Sequence, residues 1–209
     1  MNNKSVLITC GPTWIPIDDT RVISNISSGT LGQLICDVFL ENDFRTTLIQ
    51  GPVLQPYHNR DAKIISFKYY QELHDTLFAE LETQPYDIVV HAAAVSDYQM
   101  AEPFATKISS DQPELTLKLT RTKKIINEIK KHYPDITLVG FKLASRMTQQ
   151  DAIEKAVPLF TEAKCDYVVA NSTNESAYTA FIIDKNKTFL SEQTSRAGVA
   201  IELVKILTK

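Results

Sequence analysis

Short runs of branched apolar residues alternate along this chain with stretches whose apolar positions recur at helical spacing, and this alternation restricts the fold more than any other feature. Ser5-Val-Leu-Ile-Thr-Cys10 is a strand-like run ending at the breaker Gly11-Pro12. Leu31, Leu34, Ile35, Val38 and Phe39 then fall on one face of a helix. Thr46–Gln50 and Lys63–Phe67 read as strands, the second leading into a helix over Tyr70–Glu82. Asp87–Ala92 is nearly continuous in apolar residues, the pattern of a central strand covered on both faces. A helix over Lys123–His132, a strand over Thr137–Lys142, a helix over Gln149–Glu162 and a strand over Asp166–Ala170 continue the rhythm. Thr179–Asp184 and Thr188–Ser191 flank Lys185-Asn186-Lys187, a hairpin signal, and a last helix carries Val199, Leu203, Ile206 and Leu207. The expectation is an α/β chain with a Rossmann-like, doubly wound, mostly parallel sheet.

The 209 residues suit a single domain spanning 1–209, long enough to bury most of its apolar surface without disulfides. With 22 basic and 25 acidic residues and a net charge of −3, the chain lacks the positive excess that nonspecific nucleic-acid binding requires. Cys10, Cys36 and Cys165 have neither CxxC nor Cys/His spacing and read as reduced packing residues. The first residues carry no signal-peptide pattern, and no apolar run approaches the roughly 18–20 residues of a membrane span. A soluble, cytoplasmic protein without nucleic-acid or membrane partners is expected.

Two segments break the alternation. A polar loop over Ala101–Pro113 is too long for an ordinary connection, and Glu114–Thr120 after it alternates apolar and polar residues. In a doubly wound sheet, ligands bind past the carboxyl ends of the strands. The residues there are Gly11-Pro12-Thr13, Ala93-Ala94-Val95-Ser96-Asp97, Gly140-Phe141-Lys142 and Asn171.

Between the first strand and first helix stands Arg21-Val-Ile-Ser-Asn-Ile-Ser-Ser-Gly-Thr-Leu-Gly32. Ser27, Ser28 and Gly29 sit at the helix entry, where free N–H groups and the positive dipole end favour an anion, and Gly29 and Gly32 allow close approach. Arg21 and Asn25 are not needed for a helix cap. Asp97 suits Mg²⁺, a sugar or an amide. Ala93 and Ala94 suit a ligand approaching the backbone, Lys107 a phosphate charge, and Phe141 a base, each with an ordinary structural alternative. No GxGxxG or GxxxxGK[ST] occurs, and Gln50 stands where an NAD enzyme carries an acid. None of the eight Tyr residues has Lys four positions later, which disfavours a short-chain dehydrogenase, and the His residues have no metal-ligand spacing.

Taken in order over nearly the whole chain, Gly11-Pro-Thr13, Arg21 to Gly32, Ala92-Ala-Ala-Val-Ser-Asp-Tyr98, Lys107-Ile108, Val139-Gly-Phe141 and Val169-Ala-Asn171 resemble the phosphopantothenoylcysteine synthetase (phosphopantothenate cysteine ligase) family, in its free-standing bacterial form. The resemblance implies a ligase of coenzyme A biosynthesis that joins 4′-phosphopantothenate to L-cysteine, using CTP (or ATP) with Mg²⁺ and an acyl-nucleotide intermediate. It also implies a homodimer with the Ala101–Thr120 excursion as its arm, and a separate decarboxylase as a possible partner. It makes Asn25 and Lys107 the catalytic residues. Ser27, Ser28, Gly29, Gly32, Phe141 and Asn171 become nucleotide contacts, Ala93, Ala94 and Asp97 the pantothenate pocket, and Arg21 a contact to phosphopantothenate in the neighbouring subunit. Two departures stand out. Ser109-Ser110 replaces a Lys-rich pair, so that Lys142 or Lys164 would supply the missing charge at the triphosphate, and Ile26 replaces a frequent His. A catalytically silent paralogue that binds nucleotide or phosphopantothenate is the alternative.

Overall fold

In the computed structural model, which describes every residue except 1–3, 110, 112, 145–146 and 174–177, the chain builds outward from β1 (Ser5–Cys10). All six residues of β1 are buried, so both faces and both edges of the strand must be covered. The edges are met in parallel by β4 (Arg45–Gln50), in register from Ser5 opposite Arg45 to Cys10 opposite Gln50, and by β6 (Ile88–His91). Outside them lie β5 (Lys63–Ser66) beside β4, and then β9 (Thr137–Ala144) and β10 (Tyr167–Thr173) beyond β6. The antiparallel β11 (Tyr178–Asp184) and β12 (Phe189–Gln193) complete an eight-stranded sheet.

Side chains alternate between two cores. Val6, Ile8 and Cys10 pack with α1 (Thr30–Glu41) and α5 (Arg196–Leu207), whereas Leu7 faces the cluster filled by α2 (Tyr70–Thr83), α3 (Ile126–His132) and α4 (Gln149–Thr161). The sheet is therefore wound on both faces, as its sequence implies. Capping fixes two of the helix starts. Thr148 and Asp151 form a reciprocal capping box at α4, and Ser195 accepts from the Gly198 N–H at α5.

Several segments depart from the sequence reading. α3 begins at Ile126 rather than Lys123, because Thr122 and Lys123 are taken up in tertiary bonds: the Lys123 carbonyl accepts from the Tyr70 hydroxyl, and the Thr122 N–H donates to the Asp97 carbonyl. The alternation in Glu114–Thr120 does not yield a strand over its length. Only β8 (Leu119–Arg121) forms, paired with β7 (Tyr98–Met100). A small hairpin, β2 (Trp14–Pro16) against β3 (Val22–Ser24), occupies a stretch with no periodic pattern. The three cysteines are buried and free, and burial pushes the Cys10 and Cys165 thiols up to about 12 and Cys36 to about 11. Among the described residues, no helix is long and apolar enough to cross a membrane.

Phe39 on α1 is fully buried and meets Phe44 edge-on with ring centroids 5.0 Å apart. Phe39→Ala should lower unfolding free energy by about 3–5 kcal/mol. Urea unfolding measures this, and a loss under about 1 kcal/mol would mean that this helix contributes little to the core.

Candidate active site

The chain leaves β1 toward α1 on one face and leaves β6 toward α3 on the other, so the strand order reverses between them and a crevice opens at their carboxyl ends. Its floor is a continuation of the β1–β6 pairing into the loops. The Ala94 N–H donates to the Gly11 carbonyl (2.8 Å), and the Thr13 N–H donates to the Ala94 carbonyl (3.3 Å). Side chains reinforce this zipper. The Ala93 N–H donates to Thr9 Oγ1 (3.2 Å), the Ser96 N–H donates to Thr13 Oγ1 (2.8 Å), and a 3.0 Å hydrogen bond links Thr9 Oγ1 to His91 Nδ1. His91 is buried, and that burial pulls its pKa down to about 4.

One wall is the start of α1. Its N-cap is Gly29 at φ +74°, with no side-chain cap and no acidic residue in the first turn. Ser28, one residue before the N-cap, meets only the first amide: its hydroxyl bonds the Thr30 hydroxyl at 2.9 Å and accepts from the Thr30 N–H at 3.4 Å. The first-turn amides thus keep an opening for an anion. The helix also sits very close to β1. A Cβ at Gly32 would lie 2.4 Å from Cys10 Cβ, and one at Gly29 would lie 2.9 Å from Val53 Cγ1.

Asn25, exposed just past β3, leans over the floor and donates from Nδ2 to the Ala94 carbonyl at 3.1 Å. Asp18 joins Arg21 to the backbone of Ile108, the residue after Lys107. The Asp18 carboxylate accepts from the Ile108 N–H at 3.1 Å and from Arg21 Nη1 at 3.1 Å, while Arg21 Nη2 donates to the Ile108 carbonyl at 3.3 Å. Lys107 is exposed, and its ammonium makes no hydrogen bond or ion pair among the described residues. Asp97, also exposed, pairs with Lys124 at 3.1 Å. Among the described residues, no group of three or more His, Cys, Asp or Glu side chains is placed to hold a metal ion.

Three expectations need revision. Ala93 and Ala94 do not offer their N–H groups to a ligand, because both are taken up by Thr9 and Gly11; what they leave is room. Phe141 is half-buried against the core that α1 and α5 cover, so it is not a free stacking platform. Lys164 lies in the turn between α4 and β10, where the strand begins, and so at the end of the sheet opposite the crevice. Lys142 is exposed late in β9, and Asn171 lies opposite Leu143 beyond the end of β6, both on the carboxyl side. Ser109 is exposed and donates to Asp111, whereas Ser110 falls outside the described residues. Sequence reasoning placed Thr13 at the crevice but missed Asp18, Thr9 and His91. For Asp18 the signal was Asp18-Asp19-Thr20, an Asx-turn pattern. A concavity of about 1000 Å³ lined by Leu34, Val38, Phe44 and Ile201 lies on the α1–α5 flank, away from these polar groups.

The model of the DNA/pantothenate metabolism flavoprotein C-terminal domain family matches residues 1–205. The chain belongs to this family. A relative from Thermococcus kodakarensis, the coenzyme A biosynthesis bifunctional protein CoaBC, is 37% identical over 175 residues, covering 82% of this chain and 42% of its own length. The chain thus spans less than half of that relative. Among solved structures, the DNA/pantothenate metabolism flavoprotein from Streptococcus pneumoniae superposes with a TM-score of 0.86 at 24% identity, over 98% of both chains. A Cab2 variant in complex with phosphopantothenate-cysteine superposes with a TM-score of 0.78 at 15% identity, over 98% of this chain and 86% of that one. Both share the fold of the family.

His91 sets a pH dependence for this family member. Its folded pKa lies below its unfolded value of 6.5, so its stability contribution is complete above pH 6.5 and is lost as pH falls toward 4. Over that window the loss should be about 3 kcal/mol. Asp18 loses its contribution only below its ordinary value of 3.8. His91→Gln should flatten the fall between pH 7 and 4.5 in urea unfolding, and an unchanged slope would remove His91 as its source.

Proposed function

We propose that this domain is the ligase that condenses 4′-phosphopantothenate with L-cysteine at the cost of a nucleoside triphosphate. The observation that carries this reading is the meeting, in one crevice, of an uncapped helix start with the Asn25 amide held on the Ala94 carbonyl. Kinship with CoaBC proteins supports it.

A carboxylate is a poor acyl donor because its oxygen leaves badly. On this reading the phosphopantothenate carboxylate attacks the α-phosphorus of CTP, forming a C–O–P bond and expelling pyrophosphate. The cysteine amine then attacks the acyl carbon of the cytidylate, loses a proton, and releases CMP with the amide product. No protein nucleophile is needed, and catalysis rests on positioning and charge stabilisation. The first turn of α1, with Ser27, Ser28, Gly29 and Gly32, receives phosphate oxygens, and Lys107 answers the charge developing on the leaving pyrophosphate. Asn25 holds the reacting carboxyl, and Ala93, Ala94 and Asp97 border the pantothenate. Mg²⁺ would enter with the triphosphate oxygens; among the described residues no group of three or more His, Cys, Asp or Glu side chains is placed to hold it. The enzyme works in the cytoplasm and passes its product to a decarboxylase.

A homodimer completes the site. Val22, Tyr98, Phe104, Leu115 and Leu119 are large apolar side chains left exposed on the two small hairpins and the excursion between β7 and β8, which supports their use as an arm against a second copy. Arg21, at the base of this arm, reaches the substrate phosphate across that interface.

The test is pyrophosphate release by the full chain with Mg²⁺, 4′-phosphopantothenate and L-cysteine, with CTP and ATP side by side. Sustained release with CTP that needs both other substrates is the expected result. No release from folded protein would favour a silent binding paralogue.

Asn25→Ala should leave nucleotide binding within about threefold and slow turnover by roughly 100-fold or more. Equal turnover would take Asn25 out of the mechanism. Mixing Arg21→Ala with Lys107→Ala protein should restore part of the activity, and no recovery would place both residues in one chain's site.

A further inference from the structure

Asp18 sits in the bend between β2 and β3 with its side chain wholly withdrawn from solvent, a costly place for a carboxylate unless every lone pair is met. Its two oxygens divide the work. Oδ1 accepts from the Thr20 N–H (2.9 Å), the Thr20 hydroxyl (3.0 Å) and the Arg21 N–H (2.8 Å), all within its own turn. Oδ2 accepts from Arg21 Nη1 and from the Ile108 N–H, so it alone carries the carboxylate's link across to the distant loop. Withdrawal from water would raise this carboxyl, but the Ile108, Thr20 and Arg21 donors outweigh it and hold it at about 2. The group stays ionised at any working pH.

Ile108 is the residue after Lys107, and the Phe104 N–H reaches the same bend through the Ile17 carbonyl at 3.0 Å. We propose that Asp18 is a positioning residue that latches the Lys107 loop and the Arg21 guanidinium into one unit through its Oδ2 atom. This rests on the reading that Lys107 and Arg21 serve the ligase reaction. One carboxylate then sets the reach of a catalytic cation and a substrate-binding cation together, and a shift of either is felt by the other.

Asp18→Asn separates the latch from the turn. With its amide oxygen in the Oδ1 place, Asn keeps the three local bonds and presents N–H groups to Ile108 N–H and Arg21, where donors face donors. Two readouts on the full chain test the proposal: hydrogen exchange of the Ile108 amide without substrates, and kcat and KM with them. Exchange should quicken at least tenfold. The kcat should fall about tenfold or more, with KM for the triphosphate changing less than about threefold and the thermal midpoint moving only a few degrees. If Asp18→Asn fails to fold, Ile108→Pro removes the same donor from the loop side and should show the same kcat loss. If both fold, the double variant should lose no more than the larger single loss.

Unchanged Ile108 exchange overturns the latch whatever the turnover. Faster exchange with undiminished kcat overturns the positioning role, as would additive losses in the double variant. If the wild-type chain gives no pyrophosphate, the ligase reading has failed, and the exchange result alone decides whether the latch exists.

Discussion

Every residue of β1 is out of water, so its backbone groups must be met on both edges by other strands, and the parallel partners β4 and β6 are what meet them. Parallel partners require crossovers, and crossovers of one hand on a sheet buried on both faces send α1 to one side and the chain after β6 to the other. The crevice is the geometric residue of that parting. Its floor then exists because the β1–β6 pairing does not stop where the strands stop. Gly11, Thr13 and Ala94 continue it, and the Thr9 and Thr13 hydroxyls pin the β6 loop from below. The site is therefore an extension of the sheet, with side chains added over it.

The charges are distributed in a way that suits such a floor. His91, beneath it, is held neutral by burial, and the nearest thiol, Cys10, is held protonated. The ionised groups, Arg21, Lys107 and Asp97, stand at the margins, where water helps to solvate them. The full charges thus stand at the rim of the crevice and only fixed dipoles line its floor. That ordering keeps an empty site from carrying uncompensated buried charge.

Much of the fold was legible because its signals are long. Ser5–Cys10 reads as a strand from its own apolar run, and α2 was expected over Tyr70–Glu82 and spans Tyr70–Thr83. The hairpin of β2 and β3 was not legible, since three-residue strands around Pro16 cannot display a period. Glu114–Thr120 displays one without a partner strand along its length, and alternation alone does not make a ladder. At the site, sequence order found the loops but could not tell which N–H groups the fold itself would take up, as it does at Ala93 and Ala94. Lys164 was a different kind of miss. A residue just before a strand lies at its amino end, so the rule that pointed to Asn171 already excluded it. Asp18 was hidden because its decisive partner, Ile108, is remote in sequence and joined by a backbone bond that no side-chain pattern reports.

The contact between Gly32 and Cys10 binds the two positions into a single allotment of space. The clash that a Cβ at position 32 would meet is with the Cβ of Cys10, an atom that every amino acid except glycine carries at that place. Exchanging Cys10 for alanine, serine or valine therefore leaves position 32 as crowded as before. In descent the two sites cannot drift independently. Position 10 is free to change its chemistry, while position 32 keeps its glycine until the strand gives up a side chain altogether or the helix moves away and takes the opening of the crevice with it.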